Sequence, residues 1–187
     1  MANRNTQGFG LIAAGTLGST PATSGQGKYK IDANYATTIF NGGAVASAAG
    51  YIVEGQGTDT PILGVLNGIF YNAATTLKPT FANHYVQVTP ANSEDIDAFV
   101  FDNPQQQYVV ATDAARTQAG FLETYDMNAS AGSTTTGKSS ATLDIGDTSA
   151  DAASWRLLRS AEDPENQDLT AAFASVVVVA NLIELQS

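Results

Sequence analysis

The sequence contains no cysteine and only one histidine, His84, and these absences exclude several kinds of site. Without cysteine the chain has no disulfide, no thiolate metal ligand and no cysteine nucleophile. A zinc site with nitrogen or sulfur ligands needs more than one such side chain. A serine hydrolase would have to use His84, and no Gly-x-Ser-x-Gly motif presents a serine. We therefore expect a protein that is not an enzyme and that has no cofactor and no metal site.

Charge is also scarce, and most of it has one sign. Charged residues make up 14% of the chain, below the roughly 25% of ordinary globular proteins, and the formal net charge is −10. An excess of acid repels phosphate groups and anionic lipids, and the eight basic residues are scattered. Nucleic acid and membrane surfaces are therefore not expected as partners.

The chain has no apolar run of membrane-spanning length. Its most apolar stretch, Val176–Ala180 with Leu182 and Ile183, is interrupted by Asn181 and Glu184. The first residues lack the apolar stretch of a signal peptide. We expect synthesis in the cytoplasm, where the product stays until it is assembled into a larger structure.

What the sequence does contain is typical of an all-β or mainly β protein. Hydrophobic residues make up 43% of it, and short apolar runs alternate with turn residues about every 8–12 residues. This predicts a single compact domain resembling a β-barrel or sandwich, with a few short helical turns near Pro164 and over 169–173, after Asp168. Strands are predicted over 51–53, 62–71, 84–88, 98–101, 108–111, 121–125, 141–145, 155–158 and 175–185.

Two strand predictions carry further detail. Gly64 and Gly68 lie inside an apolar run and indicate bulges or close backbone approaches. Ser175–Leu185 is predicted to be a central strand, because four consecutive valines fit a sheet better than a helix.

The first thirty residues differ from the rest, and we divide the chain into an extended N-terminal arm, 1–30, and a β-rich body, 31–187. The arm is rich in glycine, which makes it expensive to order alone. Its isolated apolar residues predict an interface that becomes ordered on a partner. A frayed terminus with chance hydrophobic residues is the alternative. The candidate interface residues are Phe9, Leu11, Ile12 and Leu17.

One segment, Gly132–Ser139, matches the phosphate-binding pattern Gly-x-x-x-x-Gly-Lys-Ser. Such a site needs a buried strand before the loop and a helix that begins at the Lys-Ser pair. Here the preceding residues are polar, and the following residues alternate as in a strand. The sequence therefore favours a hairpin loop, and a nucleotide-binding protein that uses this loop is a distant alternative.

Several segments resemble parts of structural proteins from tailed phages of marine bacteria and cyanobacteria. The resemblance runs over most of the chain and includes no catalytic motif. The segments that carry it are 4–12, 28–31, 50–53, 62–65, 70–71 and 155–166.

This resemblance implies a capsid decoration (cement) protein. Such proteins are small β-barrels, commonly trimers, that bind the major capsid protein on the outside of the virion and stabilise the shell. We therefore expect a homotrimer located on the capsid exterior. Another virion component, such as a tail or fibre-base protein that binds carbohydrate through exposed aromatics, is the alternative.

Overall fold

The structure is a computed structural model that describes residues 2–18, 25–55, 60–128, 132–146 and 153–186. The chain is mainly β, with 45% of residues in strands and 5% in helices, and its strands form two antiparallel sheets. The predicted mainly β, sandwich-like domain is confirmed, although neither sheet is a closed barrel. The helices seen in the described residues are three-residue 3-10 turns, and none is long and apolar enough to cross a membrane.

The strands are β1 (Ile12–Thr16), β2 (Gly27–Ile31), β3 (Ala44–Ala48), β4 (Tyr51–Glu54), β5 (Gly64–Asn72), β6 (Pro79–Ala82), β7 (Ile96–Phe101), β8 (Gln106–Ala111), β9 (Thr124–Asn128), β10 (Thr142–Asp144), β11 (Trp155–Ser160) and β12 (Ser175–Ala180). The 3-10 turns are Ala91–Ser93, Gln118–Gly120 and Glu184–Gln186.

The first sheet has the strand order β1-β8-β12-β11-β9-β10, so β12 is flanked on both sides. The four valines of β12 are all buried, which confirms the predicted central strand. On one face of this sheet Trp155 packs edge-on against Tyr108, with ring centroids 5.6 Å apart. The strand ends at Ala180 and not at Leu185: the backbone N–H of Asn181 still donates to the carbonyl of Ser154, but Ile183 bridges Ile62 and not β11.

The second sheet has the order β2-β7-β5-β3-β4, and β6 is attached to β5. Its edge strands β2 and β4 contact each other without pairing, so the sheet curls around a cluster that includes Ile96, Ala98 and Val100. Neighbouring residues of β5 serve opposite faces: Leu66 lies in this cluster and Val65 in the cluster between the two sheets.

The glycines of β5 behave as predicted. The pairing register with β7 shifts between Leu66 and Gly68, which is a bulge. At Gly64 a Cβ atom would lie 2.2 Å from the carbonyl oxygen of Phe101, so the backbones approach more closely than any side chain allows.

Three local predictions are wrong. Residues 84–88 are not a strand. Tyr85 is buried and forms an isolated bridge with Ile39. The alternating pattern around it comes from this one buried tyrosine in an otherwise irregular segment. The region predicted as a strand over 121–125 becomes regular only at Thr124, because Leu122 has a left-handed backbone with φ of 68°.

The predicted helical turns near Pro164 and over 169–173 are also absent, and these residues form hydrogen-bonded turns. The carboxylate of Asp168 accepts hydrogen bonds from the backbone N–H and the hydroxyl of Thr170. A carboxylate that bonds to the chain two residues later closes a turn, and here it does not begin a helix.

Candidate interaction surface

Strand β1 forms one edge of the first sheet and contains or adjoins the candidate interface residues. It pairs with β8, and its other edge has no strand beside it among the described residues. Ile12 is 52% exposed and Leu17 is 36% exposed, whereas Phe9 is half-buried. Leu11 is 3% exposed and belongs to the cluster between the sheets, so its side chain is not available on the surface.

The burial of Leu11 follows from how the chain enters the sandwich. Its backbone N–H donates to the carbonyl of Gly42 at 2.8 Å, and the N–H of Gly10 donates to that of Ala141 at 3.1 Å. Gly10 has φ of +74°, and a Cβ there would lie 2.7 Å from the Cβ of Ser139. Glycine is required at this position both for its backbone conformation and for its small size.

The residues before β1 are held by polar contacts with a loop late in the chain. The side-chain amide of Asn3 donates to the carbonyls of Asp168 (3.0 Å) and Ala172 (2.9 Å). Its oxygen accepts from the backbone N–H of Asp168 at 3.0 Å. The backbone N–H of Asn5 donates to the side chain of Asn166 at 2.7 Å. We call residues 2–16 the N-terminal segment; in this chain it is folded onto the body.

Charge reinforces this attachment. The guanidinium of Arg4 donates to both carboxylate oxygens of Glu165, at 2.7 and 2.8 Å. A hydrogen bond from the side chain of Asn166 lowers the pKa of Asp163, and hydrogen bonds from Thr170 lower the pKa of Asp168. The loop is thus shaped in part by ionised carboxylates.

A second exposed apolar area lies on β5 and β6. The rings of Phe70 and Phe81 are directly opposite in the strand register, with centroids 4.7 Å apart. Phe81 is 74% exposed, and Leu77, in the turn between the two strands, is 72% exposed. We call Phe70 and Phe81 the aromatic patch.

Charged residues continue the same row across the sheet. Asp97 lies opposite Phe70 on one side and Lys30 on the other, so the three share a face. Its carboxylate is paired with Lys28 at 2.8 Å and Lys30 at 2.7 Å. Burial would raise the pKa of Asp97, but the hydrogen bonds from the two ammonium groups outweigh it and lower this pKa.

Gly132–Ser139 forms a hairpin loop, as the sequence favours. Ser133 and Lys138 bridge each other, and the backbone N–H of Gly137 donates to the carbonyl of Ser133. The chain then continues toward strand β10 and not into a helix. Loop N–H groups that bond within the loop do not point outward to cradle a phosphate.

The single histidine and the acidic residues do not form a metal-binding group in the described part of the chain. The ring of His84 stacks on Phe40 with centroids 5.9 Å apart, and its Nδ1 is 2.8 Å from the side-chain oxygen of Asn83. Within the described ranges, no three His, Asp or Glu side chains are grouped so that they would hold a metal ion.

Comparison of the chain with protein-family models, with curated proteins and with solved structures gave no match.

Sequence reasoning missed two parts of these surfaces. It did not anticipate that Asn3 and Asn5 hold the N-terminal segment, because an asparagine near a chain end has no periodic pattern. It also did not single out Phe81. The signal available for the latter was two short apolar runs separated by a turn, which places Phe70 and Phe81 on paired strands.

Proposed function

We propose that this chain is a structural protein of a tailed phage that binds the outer surface of the capsid and stabilises it, as a decoration or cement protein. The proposed partners are the major capsid protein and further copies of the chain in a homotrimer. The resemblance of segments along the sequence supports the class of protein, and the exposed edge of the first sheet supports a binding role.

One observation carries the binding role: among the described residues β1 is a sheet edge without charge or proline, although a bulge between Ala13 and Gly15 interrupts its register. Natural proteins block such edges with charged residues or proline, because an open edge pairs with other chains. None of the five residues of β1 is charged or proline. The other edge strands each have such a residue: Lys28 and Lys30 in β2, Glu54 in β4, Pro79 in β6 and Asp144 in β10.

An edge of this kind suits a shell-binding protein. A partner strand laid beside β1 would pair with its backbone, and Ile12 and Leu17 would pack on the partner. A short edge gives only a weak contact per copy. Repetition over a symmetric lattice, with copies linked in trimers, turns weak contacts into firm attachment through avidity.

A charged side chain on the edge tests this assignment. Ile12→Lys adds to β1 the feature that protects the other edges, and we expect it to lower occupancy on DNA-free shells of marine cyanobacterial tailed phages at least tenfold. Leu122→Lys is the matched control, because Leu122 is 65% exposed in the turn before β9, outside the β1 edge. Equal occupancy for both variants and the wild type would contradict a role for the β1 edge.

The aromatic patch favours a second candidate function, that of a tail or fibre-base protein that binds carbohydrate. Exposed aromatic rings such as Phe81 offer faces on which sugar rings stack. Quantitative protein analysis of purified virions separates the two. A lattice-bound decoration protein is present at on the order of hundreds of copies per particle, whereas a tail component is present at few.

A further inference from the structure

The N-terminal segment is attached to a site that any copy of the chain presents. This acceptor site consists of β8, residues 163–175, and Gly42 and Ala141, whose carbonyls accept from Leu11 and Gly10. The segment contacts it by strand pairing between β1 and β8, by the polar contacts of Asn3 and Asn5, and by the ion pair of Arg4. The residues of β8 and of 163–175 that make these contacts lie at least ninety positions away in sequence, and Gly42 and Ala141 also lie outside the segment. The site is therefore complete without the segment of its own chain.

Residues 17–24, which connect the segment to β2, form a longer connection than the short distance between its two ends requires. Thr16, where β1 ends, and Gly25–Gly27, where β2 begins, line the same shallow hollow of about 310 Å³. Eight residues, 17–24, lie between them. Fully extended, a chain of that length spans about 28 Å. The length of this connection therefore does not confine the segment to its own chain.

We propose that the N-terminal segment is exchanged between copies, so that the acceptor site of one chain holds residues 2–16 of a second copy. The inference deepens the proposed function and rests on its self-association. The occupant is identified by the structure itself, because a second copy supplies the same strand, the same asparagines and the same arginine that fill the site here.

Exchange costs little once copies are close together. The exchanged and unexchanged forms make the same contacts between segment and site, so they differ mainly in the connection and in the cost of association. On a shell or within a trimer, the effective concentration of neighbours is high and that cost is small. Exchange around a threefold axis closes a ring in which each copy gives one segment and accepts one.

Paired cysteines give a direct test, because the natural chain has none. Ile12 and Val109 are opposite each other in the pairing of β1 with β8, and antiparallel partners lie within disulfide range. We expect the Ile12→Cys, Val109→Cys double variant, oxidised and run on a denaturing non-reducing gel, to give covalent dimers and trimers. If the geometry does not allow a disulfide, a bismaleimide crosslinker can join the same two cysteines.

A matched control is the Ala46→Cys, Val53→Cys variant. These residues are partners within the hairpin of β3 and β4, so their crosslink stays within one chain and gives a monomer band. Mixing the Ile12→Cys chain with the Val109→Cys chain before assembly adds a second reading. A mixed crosslink between these two chains forms only across molecules.

The outcomes separate the two proposals. Covalent oligomers from the 12–109 pair, with the 46–53 pair monomeric, support exchange. A trimer by light scattering that gives only monomer bands overturns exchange and leaves the proposed assembly intact. A monomer by light scattering with only monomer bands overturns exchange and the proposed trimer together.

Discussion

Asn3 is the residue through which the start of the chain is held most firmly. Its side-chain amide and oxygen both bond to the backbone around Asp168 and Ala172, in a partly buried position. Arg4 beside it makes a short ion pair with Glu165, but the two side chains are 74% and 59% exposed. Solvent screens such a pair and leaves it worth little.

We therefore expect Asn3→Ala and Arg4→Ala to differ. Asn3→Ala removes four hydrogen bonds to backbone groups and should lower the free energy of unfolding by about 1–3 kcal/mol. Arg4→Ala should lower it by less than about 1 kcal/mol. Urea unfolding at neutral pH measures both. An effect of Asn3→Ala as small as that of Arg4→Ala would mean that the contacts of Asn3 do not hold the segment.

The carboxylates of the same loop predict a dependence on acid. Hydrogen bonds from Asn166 and Thr170 lower the pKa values of Asp163 and Asp168 below the ordinary value of 3.8, so the folded state binds these protons less tightly than the unfolded state does. Their contribution to stability is fully present above that value and is lost as pH falls through the lower folded-state pKa.

We expect Asp163→Asn to flatten this acid dependence. Between about pH 5 and pH 2, the melting temperature of the wild type should fall more steeply than that of the variant, which has one titrating carboxylate fewer in the loop. Thermal unfolding followed by circular dichroism checks this. Parallel curves would show that Asp163 has no part in the acid response.

Gly64 and Gly15 predict opposite outcomes for the same substitution. A Cβ at Gly64 would lie 2.2 Å from the backbone of Phe101, so Gly64→Ala should destabilise the protein by about 1–3 kcal/mol. At Gly15 no atom lies within 4 Å of a Cβ and φ is not in the left-handed region, so Gly15→Ala should be neutral or slightly stabilising. Melting temperatures of the two variants measure the contrast, and similar values would count against the close approach of β5 and β7.

At the scale of elements, the chain at the start of β1 serves both the core and the surface, and the two adjacent apolar residues there look alike in sequence. Leu11, just before the strand, lies in the core, whereas Ile12 is 52% exposed on the outside of the sheet. Leu11→Ala should lower the free energy of unfolding by about 2–5 kcal/mol, as expected for a large core residue. Ile12→Ala should change it by less than about 1 kcal/mol while weakening attachment to shells. Chemical unfolding and shell sedimentation of both variants check this; a large loss of stability for Ile12→Ala would place its side chain in the core.

The strands that sequence predicts best are those whose pattern comes from their own burial. The four consecutive valines of β12 indicate a strand that is buried on both faces. The alternate residues Ile96, Ala98 and Val100 of β7 lie on one buried face. Residues 84–88 show the limit of such patterns, because the single anchor Tyr85 produces the same alternation without a ladder of hydrogen bonds. Turns closed by side chains, as at Asp168, carry no period, and in sequence they resemble the start of a helix.

At the scale of the whole molecule, the arrangement of the sheets was not predictable from the sequence. All pairings of β8 with β1 and β12, and of β11 with β9, join residues that are distant or non-adjacent in order. Local patterns cannot rank such pairings, because each strand fits any neighbour of similar length and burial. For the same reason the candidate interface residues were foreseen as one apolar group, although folding separates Leu11 from Ile12.

The central claim is that the molecule attaches to a capsid shell in many copies through the open edge of its first sheet. Sedimentation of the purified chain with DNA-free shells of marine cyanobacterial tailed phages, with bound protein quantified at saturation, tests it most directly. We predict that the chain binds saturably at on the order of hundreds of copies per shell. We also predict that the Ile12→Lys variant, which places a charge on the β1 edge, binds at far fewer copies. Sedimentation of shells without the chain, or with only a few copies each, would contradict the claim.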